Sequence, residues 1–147
     1  MTWFAPGEAL ANRLRDTGLF EDVRSLSQLA GLREQSLRAV NAHVVYDGFS
    51  VLRRLPQDAS IEIEQRWIVA VAVRHASGHA TQAGVRDAAG PLLTAVVTHI
   101  MGWRPDKHWD QFRTETPPRP VYSPAFGYFP LAFTTRGSFH AQQEQVK

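Results

Sequence analysis

The stretch from Ile61 to His75 constrains the fold of this chain more than any other part of the sequence. Its odd-numbered positions are mostly apolar: Ile61, Ile63, Gln65, Trp67, Val69, Val71 and Val73. Its even-numbered positions start charged and then turn apolar: Glu62, Glu64, Arg66, Ile68, Ala70 and Ala72. Alternation that gives way to apolar residues on both faces is typical of a strand that enters the centre of a sheet. The sequence therefore predicts a long central strand with one half-exposed end.

A long helix is predicted after this strand, from about His79 to Gly102. Apolar residues recur there at three- and four-residue intervals, at Val85, Ala89, Leu92, Val96 and Ile100. Gly90-Pro91 predicts a kink, because proline removes a helix hydrogen bond and clashes with the preceding turn. Gly102 is well placed to cap the C-terminus. We expect this helix to pack across one face of the sheet.

Shorter elements precede the central strand. A helix is predicted from Pro6, which suits a first helical turn, to Gly18, which ends it. A short strand follows over residues 19–26, and residues 27–38 form either a short helix or a loop with a helical turn. Between residues 39 and 55, Asp47-Gly48 lies among β-forming residues. That pattern predicts a β-hairpin with its turn at these two residues.

Two more strands are predicted towards the C-terminus. Residues 109–114 suggest a short strand, and an extended proline-rich segment over residues 116–120 follows it. The last strand covers residues 128–139, with Phe129, Leu131 and Phe133 on one side. Pro130 lies inside it, which predicts an edge position because proline cannot donate to a neighbouring strand.

These elements predict a single small α/β domain. A length of 147 residues is typical of one domain. The hydrophobic share of 44% and the charged share of 20% are ordinary for a globular protein. No repeat or long linker divides the chain. We expect the domain to span residues 1–140 and residues 141–147 to form a flexible tail.

The composition argues against several classes of protein. The chain has no cysteine, so a disulfide framework and a thiolate metal site are excluded. No signal peptide or membrane-spanning stretch is visible, which predicts a protein made in the cytoplasm without a membrane partner. The net charge is only +2, and Arg53-Arg54 is the one adjacent basic pair. Sequence-specific nucleic-acid readers usually concentrate their basic residues, so that class is not favoured.

The candidate catalytic residues lack the partner residues that a known catalytic or metal site would need. His75 and His79 lie four residues apart, but Ser77-Gly78 interrupts the chain between them and no third metal ligand is evident. Asp106, His108 and Asp110 place two carboxylates around an imidazole, from which an acid–base pair could be built. Their spacing matches no motif of known mechanism. We therefore expect no enzyme activity, metal or cofactor, and a hydrolase that uses these three residues is the catalytic alternative.

Large aromatic residues are more numerous than the size of the chain requires. We expect Trp67 and Trp103 to complete the core. For Tyr122 and Phe126, which lie in a proline-rich loop, core packing and the anchoring of a subunit interface are equally open interpretations. The candidate partner-contacting residues are Tyr46, Phe49, Arg104, Trp109, Tyr122, Phe126 and Tyr128.

Three segments of the chain resemble phage tail terminator proteins. They are the strand IEIEQRWIVAVAVRH, the helix AGPLLTAVVTHIMGW with RP directly after it, and the strand YFPLAFTTRGSF. The resemblance covers about residues 8–140. It is nearest to the group from Mu-like phages, and the tail terminator of phage lambda is more distantly similar. Its most specific parts are the Trp67 strand and the turn at residues 102–105.

The resemblance implies a small α/β fold of the α+β kind, with a mixed β-sheet flanked by helices. It also implies that the protein forms a hexameric ring and stops tail-tube polymerisation. The implied partners are other copies of the chain, the tail tube protein and a head–tail connector or neck protein. The implied location is the head-proximal end of the tail in the virion, with a ring lumen open to the genome. It implies no cofactor. Another connector or neck protein is the alternative within the same class.

Overall fold

The computed structural model describes residues 2–26, 33–57, 59–75 and 82–142. Over these ranges the chain forms a mixed six-stranded sheet and two α-helices. The elements are α1 Ala5–Asp16, β1 Asp22–Leu26, β2 Val40–Leu55, β3 Ser60–Arg74, α2 Gln82–Ile100, β4 Arg113–Glu115, β5 Val121–Tyr122 and β6 Phe126–His140. The sheet order is β1-β2-β3-β6-β4, with β5 also paired to β6. Only β1 and β2 pair in parallel. The predicted α+β class is confirmed.

β3 is the central strand. It pairs with β2 on one side and with β6 on the other along its whole length. Val69 and Val71 are fully buried, as the doubly apolar pattern predicted. Both helices pack on the same face of the sheet, where they form the main core with Leu10, Leu14, Val85, Ala89, Val96, Ile100, Trp67, Val69, Val71, Phe129 and Phe133. The predicted packing of α2 across one face is confirmed.

Most predicted elements lie where the sequence placed them. α1 has its proline in the first turn, and Gly18 follows it with a positive φ of 70°. α2 contains the exposed Pro91 and ends before Gly102, whose φ is 78°. Residues 79–81, like residues 27–32, lie outside the described residues, and Glu34–Ser36 forms one 3-10 turn. The kink at Pro91 and the flexible tail stay predictions. No helix of the described residues is long and apolar enough to cross a membrane.

The predicted hairpin turn at Asp47-Gly48 is wrong. β2 continues through both residues as one strand of 16 residues, and its pairing register with β3 shifts between Tyr46 and Phe49. Gly48 has a φ of 89°, a conformation that glycine adopts readily in a β-bulge as well as in a turn. The chain reverses instead between β2 and β3, and Ala59, just before β3, has a φ of 46°. A positive φ is uncommon for alanine, whereas Pro56 is a residue that favours turns and makes a loop predictable here.

The predicted edge position of the last strand also needs correction. β6 lies between β3 and the short outer strands, so it is not the last strand of the sheet. β5 pairs with β6 at Gly127 and Tyr128, whereas β4 pairs with it from Ala132 to Thr134. Pro130 therefore lies between these two pairings. Its missing N–H removes no bond to either outer strand, which is why the sheet tolerates proline there.

A buried polar pair occupies the face of β2 that points away from the helices. Asn41 and His43 are both fully buried. The Asn41 side-chain amide donates to the carbonyl of Arg38, which leaves its oxygen to accept from Nε2 of His43. The pKa of His43 is lowered to about 4, chiefly by burial and to a smaller extent by the charge of Arg24, while the charge of Asp22 acts in the opposite direction. His43 is therefore neutral at pH 7 and becomes charged in the folded protein only in acid.

Gly7 provides the first test of this fold. It faces the six-membered ring of Trp67, and a Cβ at this position would overlap that ring. We expect Gly7→Ala to lower the free energy of unfolding by about 1–3 kcal/mol, although alanine is the better helix former. The control is the double variant with Trp67→Phe, whose smaller ring lacks the obstructing atoms. Thermal unfolding should give a smaller cost of Gly7→Ala in that background, and equal costs would contradict the packing.

His43 predicts how stability depends on pH. The unfolded chain binds a proton at this residue near pH 6.5, whereas the folded protein does so only near pH 4. Between those values protonation favours the unfolded state, so the histidine costs about 2 kcal/mol of stability between pH 7 and pH 5. His43→Gln keeps a donor for Asn41 but cannot be charged. Urea unfolding at several pH values should show a flatter acid profile for the variant; identical profiles would refute the prediction.

Candidate interaction surface

The second half of β2 forms an open sheet edge. β1 pairs with β2 only from Asn41 to Val45, and beyond that point no strand of the described residues lies on the outer side of β2. Four large apolar side chains are exposed along this edge: Phe49 by 49%, Val51 by 39%, Leu52 by 42% and Leu55 by 38%. Soluble proteins usually protect such edges with charges, prolines or short strands. We call residues 49–55 the β2 edge.

The packing beneath the β2 edge explains why it stays exposed. Phe49 and Val51 lie opposite Gln65 and Ile63 of β3, so they point to the helix-bearing face. Neither helix extends this far, and this end of the face is covered by aromatic residues from elsewhere in the chain. Trp3 meets Phe49 edge-to-face with 4.9 Å between ring centroids, and it also contacts Phe139. These rings leave Phe49 about half accessible.

Two irregularities shape the β2 edge. The pairing register shifts between Tyr46 and Phe49 and again between Val51 and Arg53. Leu52 lies in the second shift, opposite no residue of β3. Bulges increase the local twist and re-aim side chains. They therefore interrupt the strict alternation of side chains between the two faces of the sheet along this part of β2.

The other side of the sheet ends in a second open edge. All three residues of β4 are exposed, and among the described residues no strand lies beyond it. The chain then continues through three exposed prolines, Pro117, Pro118 and Pro120, to Val121, which is 62% exposed. We call residues 113–121 the β4 edge. The two edges lie at opposite sides of one sheet, and both present apolar groups.

Four of the predicted partner-contacting aromatics are packed inside the chain to different degrees. Trp109 and Phe126 are buried. Tyr122 is half-buried with its ring edge-to-face on Phe129, and Tyr128 donates its hydroxyl hydrogen to Glu34 at 2.8 Å. These rings contribute to the packing of the segments that carry them. Their side chains offer little free surface to another protein.

Tyr46, Phe49 and Arg104 differ from those four. Tyr46 is half-buried beside Trp67 and accepts a hydrogen bond from the indole of Trp3 at 3.1 Å. Arg104 is exposed, but its guanidinium donates to the carbonyls of residues 106, 107 and 109 and so fixes the turn after α2. Phe49 is the predicted residue with an open apolar surface. Four further apolar residues that the sequence did not single out are also exposed: Val51, Leu52, Leu55 and Val121.

The turn after α2 contains Asp106, His108 and Asp110. Asp106 accepts a hydrogen bond from the backbone N–H of His108 at 2.7 Å, so its carboxylate closes the turn. Trp109 is buried between His108 and Asp110, and both of these neighbours are exposed. An open groove lined by Lys107, His108, Asp110 and Arg136 lies beside them. The described residues contain no group of acidic or histidine side chains suited to a metal ion.

His75 also makes a contact within the fold. It is nearly buried, and its Nε2 lies 3.1 Å from the carbonyl oxygen of Ser123. Its predicted partner in a metal pair, His79, lies outside the described residues. Among the residues that the structure describes, the open sheet edges are thus better candidates for function than any cluster of reactive groups.

Comparison with known proteins gives one family. A family model described as phage tail terminator protein matches residues 1–143. The match spans every strand and helix described above, including both open edges. No curated protein matches the chain.

Proposed function

We propose that this chain, which belongs to the phage tail terminator family, forms a ring that caps the tail tube and ends its polymerisation. Membership of the family makes it a structural protein of phage tail assembly. In the proposal the ring is a hexamer at the head-proximal end of the tail, and its outer face receives the head or neck. The observation that carries the proposal is the sheet with two different open edges, one of them strongly apolar.

Two unlike edges favour a ring over a two-fold dimer. Contact between one edge and the opposite edge of a neighbour is head-to-tail, and such contacts close when the rotation per subunit divides a circle. Every copy then supplies one edge of each kind. The apolar β2 edge, which a soluble monomer would leave in water, is covered in each copy.

To cap a tube, the ring must present outward a surface that differs from the tube end to which it binds. A tube end with a free subunit-binding surface keeps adding subunits until something covers it. A ring that binds this end and presents a different face outward stops the growth. No bond needs to be made or broken, so the proposed mechanism uses binding surfaces alone.

The residues around Asp106 do not favour the catalytic alternative. A hydrolase would need His108 free to exchange protons with a substrate that Asp106 and Asp110 help to position. Instead, the Asp106 carboxylate accepts a hydrogen bond from the backbone of the turn. Arg104 fixes the same turn from the other side through three carbonyls. This arrangement supports a structural role for the loop.

Deletion of the gene tests the capping function. We expect lysates of the deleted phage to contain heads and unjoined tails, with tubes that exceed the normal length because nothing covers their growing ends. Electron microscopy of negatively stained lysates measures both features, and the wild-type gene supplied on a plasmid is the control. Normal-length tails joined to filled heads would rule the proposal out. Tails of normal length that remain unjoined would favour a connector or neck protein.

Substitution of the exposed loop residues tests the catalytic alternative. We expect His108→Ala and Asp110→Ala to leave tail length and the yield of infectious particles unchanged within about twofold, because neither side chain packs in the core. Trp109→Ala is the contrasting variant, since it empties a buried site and should cost about 3–5 kcal/mol of stability. A stably folded His108→Ala protein that yields no virions would show a specific role for this imidazole.

A further inference from the structure

We propose that residues 116–121 form a preformed ligand that binds a groove on a different protein, lined with aromatic side chains and carrying a carboxylate. We call these residues, Thr-Pro-Pro-Arg-Pro-Val, the proline segment. The segment runs from the end of β4 to the first residue of β5. The inference goes beyond the proposed ring, which uses strands at the sheet edges, because residues 116–120 belong to no strand.

The sequence of the proline segment restricts its backbone. Proline holds φ at about −65°, and the residue before a proline is restricted to an extended conformation. Each of residues 116–120 is either a proline or the residue before one. These five residues accordingly form no helix, turn or strand and have no positive φ. A chain of this kind favours the polyproline II helix, which a partner can bind with little further loss of conformational entropy.

Both ends of the proline segment are held on β6. Glu115 pairs with Ala132, and Val121 pairs with Tyr128. The chain between these pairs covers about 19 Å as polyproline II, whereas the matching part of β6 covers about 14 Å as a strand. The segment is therefore longer than the gap that it bridges, and it bows out from β6. Arg66 fixes its start by donating a hydrogen bond to its first carbonyl at 2.8 Å.

The side chains of the proline segment fall on three ridges. Polyproline II repeats every three residues, so side chains three positions apart lie on the same ridge. There are two apolar ridges and one polar ridge: Pro117 with Pro120, Pro118 with Val121, and Thr116 with Arg119. All six residues are exposed. Two neighbouring apolar ridges fit an aromatic-lined groove of the kind that binds proline-rich segments.

The charge of Arg119 sets a second requirement on the partner. Arg119 is exposed and forms no ion pair within the described residues, and the proline segment contains no acidic residue. Carboxylates bind a guanidinium through short, charge-assisted hydrogen bonds, so the groove must carry a carboxylate beside its aromatic rings. A phosphate would also suit Arg119, but it would leave both apolar ridges in water. The partner is therefore a protein and not a nucleic acid.

Three grooves formed by the described residues of this chain do not meet these requirements. Each of them is lined by a single aromatic side chain: Phe139, Trp103 or Phe49. The ring of Trp103 is already covered by the guanidinium of Arg13, 4.6 Å from the ring centroid. A second copy thus offers no paired rings in these grooves, which favours a different protein as the partner.

Binding by domains that recognise proline-rich segments tests the ligand. The probes are fluorescently labelled SH3 and WW domains with a carboxylate beside their aromatic grooves, and fluorescence anisotropy measures their affinity for the full-length protein. We expect replacement of Pro117, Pro118 and Pro120 by alanine to lower the affinity at least about 10-fold. Pro91→Ala is the matched control, because Pro91 is an exposed proline on α2, and it should bind like the wild type.

Charge variants and assembly make the binding test specific. We expect Arg119→Glu to lower the affinity at least about 10-fold and Arg119→Lys to lower it less. Thermal unfolding and sedimentation velocity should show that these variants fold and associate like the wild type. The inference would be overturned if no probe binds the wild type, if the triple alanine variant binds equally well, or if Pro91→Ala loses as much. Loss of self-association in the triple variant would also overturn it, because the segment would then belong to the contact between copies.

Photocross-linking in purified virions identifies the natural partner. A photoreactive residue is placed at position 116 or, as the control, at position 101, which is exposed at the end of α2. We expect position 116 to cross-link to an aromatic-lined, acidic groove of another virion protein, and the triple alanine variant to lose this product. A product that joins two copies of this chain, or no more product than position 101 gives, contradicts the inference. Tail length in the same phages reports capping separately, so either proposal can fail without the other.

Discussion

The position of β3, paired on both sides and buried on both faces over its second half, is the constraint on which the rest of the fold depends. Its apolar residues on one face receive both helices, and Trp67 meets α1 at Gly7. A shift of one residue in its register would turn this whole apolar set to the other face. The aromatic cluster beneath the β2 edge depends on the same register. The candidate interaction surface is therefore positioned by the central strand of the sheet.

The elements with a strong hydrophobic period could be predicted from the sequence. β3 and α2 each carry a pattern that only one kind of element satisfies, so their type and packing were predicted correctly. Asp47-Gly48 was misinterpreted because a bulge and a tight turn need the same backbone conformation at glycine. What decides between them is the presence of a partner strand along the following residues. β3 provides that partner as far as Leu55, and local sequence does not record such a pairing.

The interaction surface was harder to predict than the fold for a related reason. Large aromatic residues are equally suited to a core and to an interface, so residue type does not separate Phe126, which is buried, from Phe49, which is half-exposed. The difference comes from where each strand ends relative to the helices. With a turn predicted at Asp47-Gly48, residues 49–55 are interpreted as the ordinary second strand of a hairpin. Adjacent apolar residues at 51 and 52, next to Arg53-Arg54, were the available signal that strict alternation fails there.

Bulges on the β2 edge have a consequence for the shape of the proposed ring. A flat edge would stack copies into an extended sheet with no natural end, whereas a bulge adds local twist. Two register shifts lie within the exposed half of β2, so a copy bound there is rotated relative to its neighbour. In head-to-tail contacts this rotation decides between a closed ring and an open filament. In the proposed ring Gly48 contributes to this rotation, because its positive φ sets the direction of the strand that follows it.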